Sequence, residues 1–214
     1  MFKQTRSVMV YVTCAALTIS LMVCSVLSPI QVLSVGERML RVYGVALVYD
    51  LPPGGSSASS GGSSQWCNRI DNVSSCTSLP TEAVQVRIPL EKLPPSTLKN
   101  VMTAYLSFAS LCLCTCLSLL ISVMVELLPT KHGRAAVLVT RVLTMLVPLT
   151  AVLCFAMAAV LGLRSSLYCT VAAAYCTDMG SESPASKLHS GFFSSVGAVI
   201  IGLLVAMLPP VLKW

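Results

Sequence analysis

The stretch VMTAYLSFASLCLCTCLSLLISVMV, residues 101–125, carries no charged side chain and is closed by Glu126 and Pro129. A helix needs about 20 residues to cross the hydrocarbon core of a bilayer, and this run exceeds that length. Three further stretches match it. Residues 8–27 carry no charge, 135–163 are interrupted only by Arg141 and Pro148, and 191–212 end at Lys213 and Trp214. Of the 214 residues, 55% are hydrophobic and only 10% charged, against roughly 25% charged in a soluble domain. The charges sit almost entirely in the gaps between the apolar runs, which keeps them out of hydrocarbon. This pattern predicts an all-α membrane protein, a four-helix transmembrane bundle with spans at 8–28, 101–126, 135–163 and 191–212.

Orientation follows from the Lys/Arg bias of the short flanking segments. Lys3 and Arg6 precede the first span, Lys131 and Arg134 lie between the second and third, and Lys213 follows the fourth. Arg141 is near enough to the end of its span to snorkel out. These charges place both termini (1–7 and 213–214) and the 127–134 connection in the cytoplasm. Segments 29–100 and 164–190 become the outer loops. Between residues 30 and 100 the charges are balanced, six Lys/Arg against five Asp/Glu. The first 28 residues also fit a cleaved signal peptide. An apolar stretch of about 20 residues is long for the hydrophobic part of such a signal, which favours a retained span.

Loops as long as 29–100 are usually functional or disordered. RVYGVALVY (41–49) is rich in β-branched and aromatic residues, and EAVQVRIPL (82–90) alternates apolar with polar. Both read as strands of a small extracellular β-sheet supplied by the first outer loop. PPGGSSASSGGSS (52–64) has the composition of a flexible linker. Four of the ten cysteines fall in the outer loops, Cys67 and Cys76 in the first and Cys169 and Cys176 in the second. An even number in an oxidising compartment argues for two disulfides. Three connectivities are open to them; local pairing, Cys67 with Cys76 and Cys169 with Cys176, closes the shortest loops and is preferred. Asn72-Val-Ser74 is an N-glycosylation sequon on the side assigned as lumenal.

The other six cysteines, Cys14, Cys24, Cys112, Cys114, Cys116 and Cys154, lie in the spans. Cys112, Cys114 and Cys116 have the look of a metal site. Alternate residues on a helix point about 200° apart, so the three thiols cannot converge on one ion, and they read as packing residues. Neither a metal nor a cofactor is expected. Helices in lipid associate through small residues, and two stripes at i+4 spacing offer them. Ser194, Ala198, Gly202 and Ala206 form one in the fourth span; Ser110, Cys114, Ser118 and Ser122 form the other in the second. Packing within the bundle is the expected use of both, with contact between protomers as the alternative.

The spans contain no carboxylate pair, His relay or broken-helix pair of the kind that marks pumps and transporters. His132 and His189 lie on opposite sides of the membrane and cannot share a site. No nucleophile elbow, HExxH, Walker loop or phosphate cradle occurs, so the chain is not read as an enzyme. The net charge of +6 is topological, with no basic cluster to suggest nucleic acid.

The order of parts resembles the claudin and peripheral-myelin-protein tetraspan superfamily, which includes the amastins of trypanosomatids. The resemblance rests on four spans, a long first outer loop with strand-like segments, and Trp66-Cys67 followed by Cys76. The Ser28-Pro29-Ile30-Gln31 exit from the first span and Gly191-Phe192-Phe193 opening the fourth are similar to the amastin pattern. Trp66 and Cys67 are adjacent, where claudins separate them, and NRIDNVSS (68–75) stands where amastins carry Leu-Trp-Gly. The resemblance implies a left-handed bundle capped by a small outer sheet. It implies a non-enzymatic surface (glyco)protein of the plasma membrane, acting in adhesion or surface interaction through its outer loop. The alternative is an accessory subunit of a channel, transporter or receptor. Expected partners are membrane lipids and a second protein or a second copy of the chain, bound through the outer loop or a helix stripe.

Overall fold

A computed structural model describes residues 2–35, 38–51, 65–68, 75–78, 84–126, 133–164, 167–168 and 185–207. Four helices dominate it: α1 (Phe2–Leu27), α2 (Thr97–Glu126), α3 (Gly133–Leu163) and α4 (Ser190–Met207). Each contains a segment long and apolar enough to cross a membrane: Val8–Leu27, Thr97–Val125, Val137–Leu163 and Ser190–Met207. Helix α2 begins four residues before its apolar run because Ser96 caps it. The Ser96 side chain accepts the Lys99 amide at 3.3 Å, satisfying a donor that the first helical turn leaves orphaned.

Every helix packs against its neighbours in the chain, and α4 closes the ring on α1. The buried positions explain how. On α2 they are Ala109, Cys112, Cys116, Leu119 and Val123; on α3, Val147, Ala151, Cys154, Ala158 and Leu161. Steps alternating between three and four residues keep one seam turned toward a neighbouring helix, as in coiled-coil-like bundles. The opposite faces are equally apolar. Leu117 and Ile121 on α2 and Leu138 and Met145 on α3 are more than half exposed. Helices that are hydrophobic all round are stable when their outer surface meets lipid, and these four have that character.

A five-stranded antiparallel sheet covers one end of the bundle. Its strands are β1 (Gln31–Val35), β2 (Arg38–Val42), β3 (Ala46–Leu51), β6 (Val84–Pro89) and β7 (Ala185–Leu188), in the order β6-β3-β2-β1-β7. A separate two-stranded ribbon pairs β4 (Gln65–Asn68) with β5 (Ser75–Ser78). Leu33, Leu40, Val42, Leu47, Tyr49 and Ile88 turn inward and join Leu93, Leu98, Met102 and Tyr105 in one hydrophobic core.

Two sequence expectations about this sheet need correction. Residues 41–49 are not one strand: β2 ends at Val42 and β3 starts at Ala46, with Val42 opposite Leu47 in a tight hairpin. Strand-favouring composition runs straight through the turn, and Gly44 was the sole sign of it. Nor does the sheet come from the first loop alone. Strand β7 pairs with β1, Gln31 opposite Leu188, so the second loop supplies an edge.

Candidate interaction surface

Three helices and the sheet meet at one hydrogen-bonded junction. Ser25 near the end of α1 donates to the Gly191 carbonyl at 2.9 Å. A serine hydroxyl has a single proton, so the 2.6 Å contact between Ser25 and Tyr105 of α2 is a bond donated by the tyrosine. One short side chain thus ties α1 to α2 and α4. Gly191 fits because its backbone lies against α1's exit, where a Cβ would meet the Ser28 and Pro29 carbonyl oxygens at 2.6 and 2.9 Å. The Pro29 carbonyl also accepts the Gly191 amide at 3.0 Å. Gly44, in the β2–β3 turn, rests on the ring of Tyr105, and a Cβ there would stand 2.5 Å from Cε1. Tyr168, between α3 and β7, donates to the Leu161 carbonyl; burial pushes its phenol above the ordinary range.

This junction fixes the sheet with one face against the bundle and the other turned away. Register defines the outward face. One row across the strands reads Arg87, Val48, Arg41, Val32 and Lys187; the next reads Gln85, Asp50, Met39, Ser34 and Ala185. Arg87 and Lys187 are exposed and Arg41 is half-exposed. Arg41 reaches diagonally to Asp50, 3.1 Å between Nη2 and Oδ2. Across these two rows three cations stand against one acid.

Within the bundle, α2 and α3 share a weakly polar seam. Ser122 and Thr140 hydrogen-bond at 2.7 Å, and the hydroxyls of Thr115 and Thr150 stand 3.5 Å apart. Cys112 and Cys116, one turn apart on α2, are both buried. Cys114 faces the other way and is exposed. Among the described residues no group of three His, Cys, Asp or Glu is placed to hold a metal.

The residues singled out from the sequence fare differently. On α4, Ala198 and Gly202 are buried while Ser194 and Ala206 are half-buried. Gly202 lies on α3, where a Cβ would come within 3.3 Å of the Pro148 Cα. The α2 stripe does not act as a unit: Ser110, Cys114 and Ser118 point outward, and Ser122 alone is buried against α3. Cys67 and Cys76 sit directly opposite each other across β4 and β5. Asn72, Cys169, Cys176, His132 and the 52–64 linker lie outside the described residues. His189 is exposed before α4, its Nδ1 3.0 Å from the Ser190 hydroxyl. The Ser25–Tyr105–Gly191 junction was missed: Gly191 stood out only as the opening of the fourth span, and nothing local to Ser25 points to partners 80 and 166 positions away. No protein-family model matches the chain, and no curated protein matches it.

Proposed function

We propose that this chain is a non-enzymatic, claudin- and amastin-like four-span surface protein that acts in adhesion or surface interaction through its outer sheet. The observation that carries this reading is the five-stranded sheet locked on the bundle end with a cationic, polar face turned away. Binding surfaces set on rigid scaffolds present fixed geometry to a partner, and four helices packed against one another supply such a scaffold. Both termini are assigned to the cytoplasm, the sheet to the outside and the protein to the plasma membrane. The β4–β5 ribbon carries a Cys67–Cys76 disulfide in this reading, since cross-strand neighbours lie about 4.5–5.5 Å apart at Cα, within the range a disulfide spans. A second bridge joins Cys169 to Cys176, and Asn72 carries a glycan.

One observation favours a second reading, an accessory subunit. Ser110, Cys114 and Ser118 present a small-residue surface on α2 directed away from the other helices, and small residues permit close helix approach in lipid. Two measurements test the choice. A tag inserted in 52–64 should be labelled on intact cells while tags at either terminus stay protected; the reverse pattern refutes the proposed orientation. Purification in mild detergent should yield the chain without a stoichiometric polytopic partner; finding one at constant ratio favours the accessory role.

A further inference from the structure

We infer that the outward face of the five-stranded sheet binds an anionic polysaccharide, bearing sulfate or carboxylate groups, laid across the strands along the row Arg87, Arg41, Lys187. The inference rests on the proposed reading only for the side of the membrane that the sheet faces.

The row is cationic at every second strand. In the order β6-β3-β2-β1-β7, Arg87 stands on β6, Arg41 on β2 and Lys187 on β7, with Val48 and Val32 between them. Neighbouring strands lie about 4.8 Å apart, so successive cations are separated by about 10 Å. That exceeds the screening length of about 8 Å in physiological salt. The cations therefore act as separate charges, and a ligand that uses more than one must carry repeated anions along an extended chain. The adjoining row offers one acid, Asp50, already spent on Arg41 at 3.1 Å. Among the described residues, Arg87 and Lys187 have no ion pair and are exposed.

The shape of the face decides among polyanions. No aromatic side chain stands in either row, and single-stranded nucleic acids rely on aromatic stacking. A peptide recognised by a sheet runs along an edge strand and uses main-chain hydrogen bonds, whereas the cations here run across the strands. A cationic row with aliphatic spacers suits a polymer read by charge alone.

The test uses the purified full-length chain in mild detergent, where membrane orientation plays no part, with heparin and a carboxylate-only polyuronate as probes. Wild type should bind at least one of them, with affinity falling as salt rises because bound cations release counterions. Arg87→Gln combined with Lys187→Gln should weaken binding on the order of tenfold or more. Arg141→Gln, the same kind of charge loss on exposed α3, should leave it unchanged. Asp50→Asn, which frees Arg41, should tighten it. Binding to neither probe overturns the inference, as does equal loss from Arg141→Gln. Equal or stronger binding of single-stranded DNA or anionic lipid vesicles also overturns it. Thermal unfolding of each variant separates loss of the face from loss of the fold. The tag-labelling experiment fails or succeeds independently, so the two readings are refuted separately.

Discussion

Replacing Gly44 with alanine tests whether the sheet is seated on the bundle through Tyr105. The added methyl would stand 2.5 Å from Cε1 of that ring, where carbon–carbon contacts are comfortable at about 3.5–4.0 Å. A gap of about 1 Å must therefore open. The ring has little freedom to yield. Tyr105 is fully buried, and its hydroxyl donates to Ser25 at 2.6 Å. Overpacking of a dense core costs about 1–3 kcal/mol, and a buried phenol pulled off its partner adds about 1–3 kcal/mol. Together the substitution should cost about 2–6 kcal/mol. For a chain of this size that lowers the unfolding midpoint by roughly 4–24 °C. The assay is thermal unfolding in detergent, run as a double-mutant cycle with Tyr105→Leu. Removing the ring makes room for the methyl, so Gly44→Ala should cost clearly less in that background. A wild-type midpoint for Gly44→Ala, or the same loss with and without the ring, would refute the proposed seating.

Three other outcomes are expected. Gly202→Leu should destabilise by about 1–3 kcal/mol because the Pro148 Cα lies 3.3 Å from a Cβ at that site. Leu204→Ala, at a position 48% exposed, should cost much less in the same detergent melt. Ser122→Ala and Thr140→Val, compared in a cycle, should couple by about 0.6 kcal/mol, the average for interhelical hydrogen bonds in membranes; additive losses would mean the 2.7 Å contact carries no net stability. Cys67→Ser or Cys76→Ser should impair surface delivery, while Cys114→Ser should be silent; similar loss from all three would count against the β4–β5 bridge.

Four apolar runs separated by charged gaps are legible in the sequence because lipid solvates an apolar surface without regard to which face a residue occupies. Span existence therefore needs only local composition, and α1 through α4 follow from it. Strand composition was legible too, for residues near 41–49 and 82–90. Facing, pairing and turns were not. Gly44 sits in the turn within residues 41–49, where the Tyr105 ring, some sixty positions later, leaves no room for a Cβ. Strand β7 exists because Gln31–Val35, leaving α1, offers it a ladder of backbone partners, and nothing in Ala185–Leu188 itself announces a strand.

The two small-residue stripes show the same division. Both have i+4 spacing, and both looked equivalent when read along the chain. Gly202 meets Pro148 of α3, whereas Ser110, Cys114 and Ser118 are exposed. Spacing determines which residues share a face. Only the tertiary ring of helices decides what that face touches, since in lipid an apolar outer face and an apolar inner face are made of the same residues. Ser25 shows the limit most clearly: its role comes entirely from Tyr105 and Gly191, brought to it from 80 and 166 positions away.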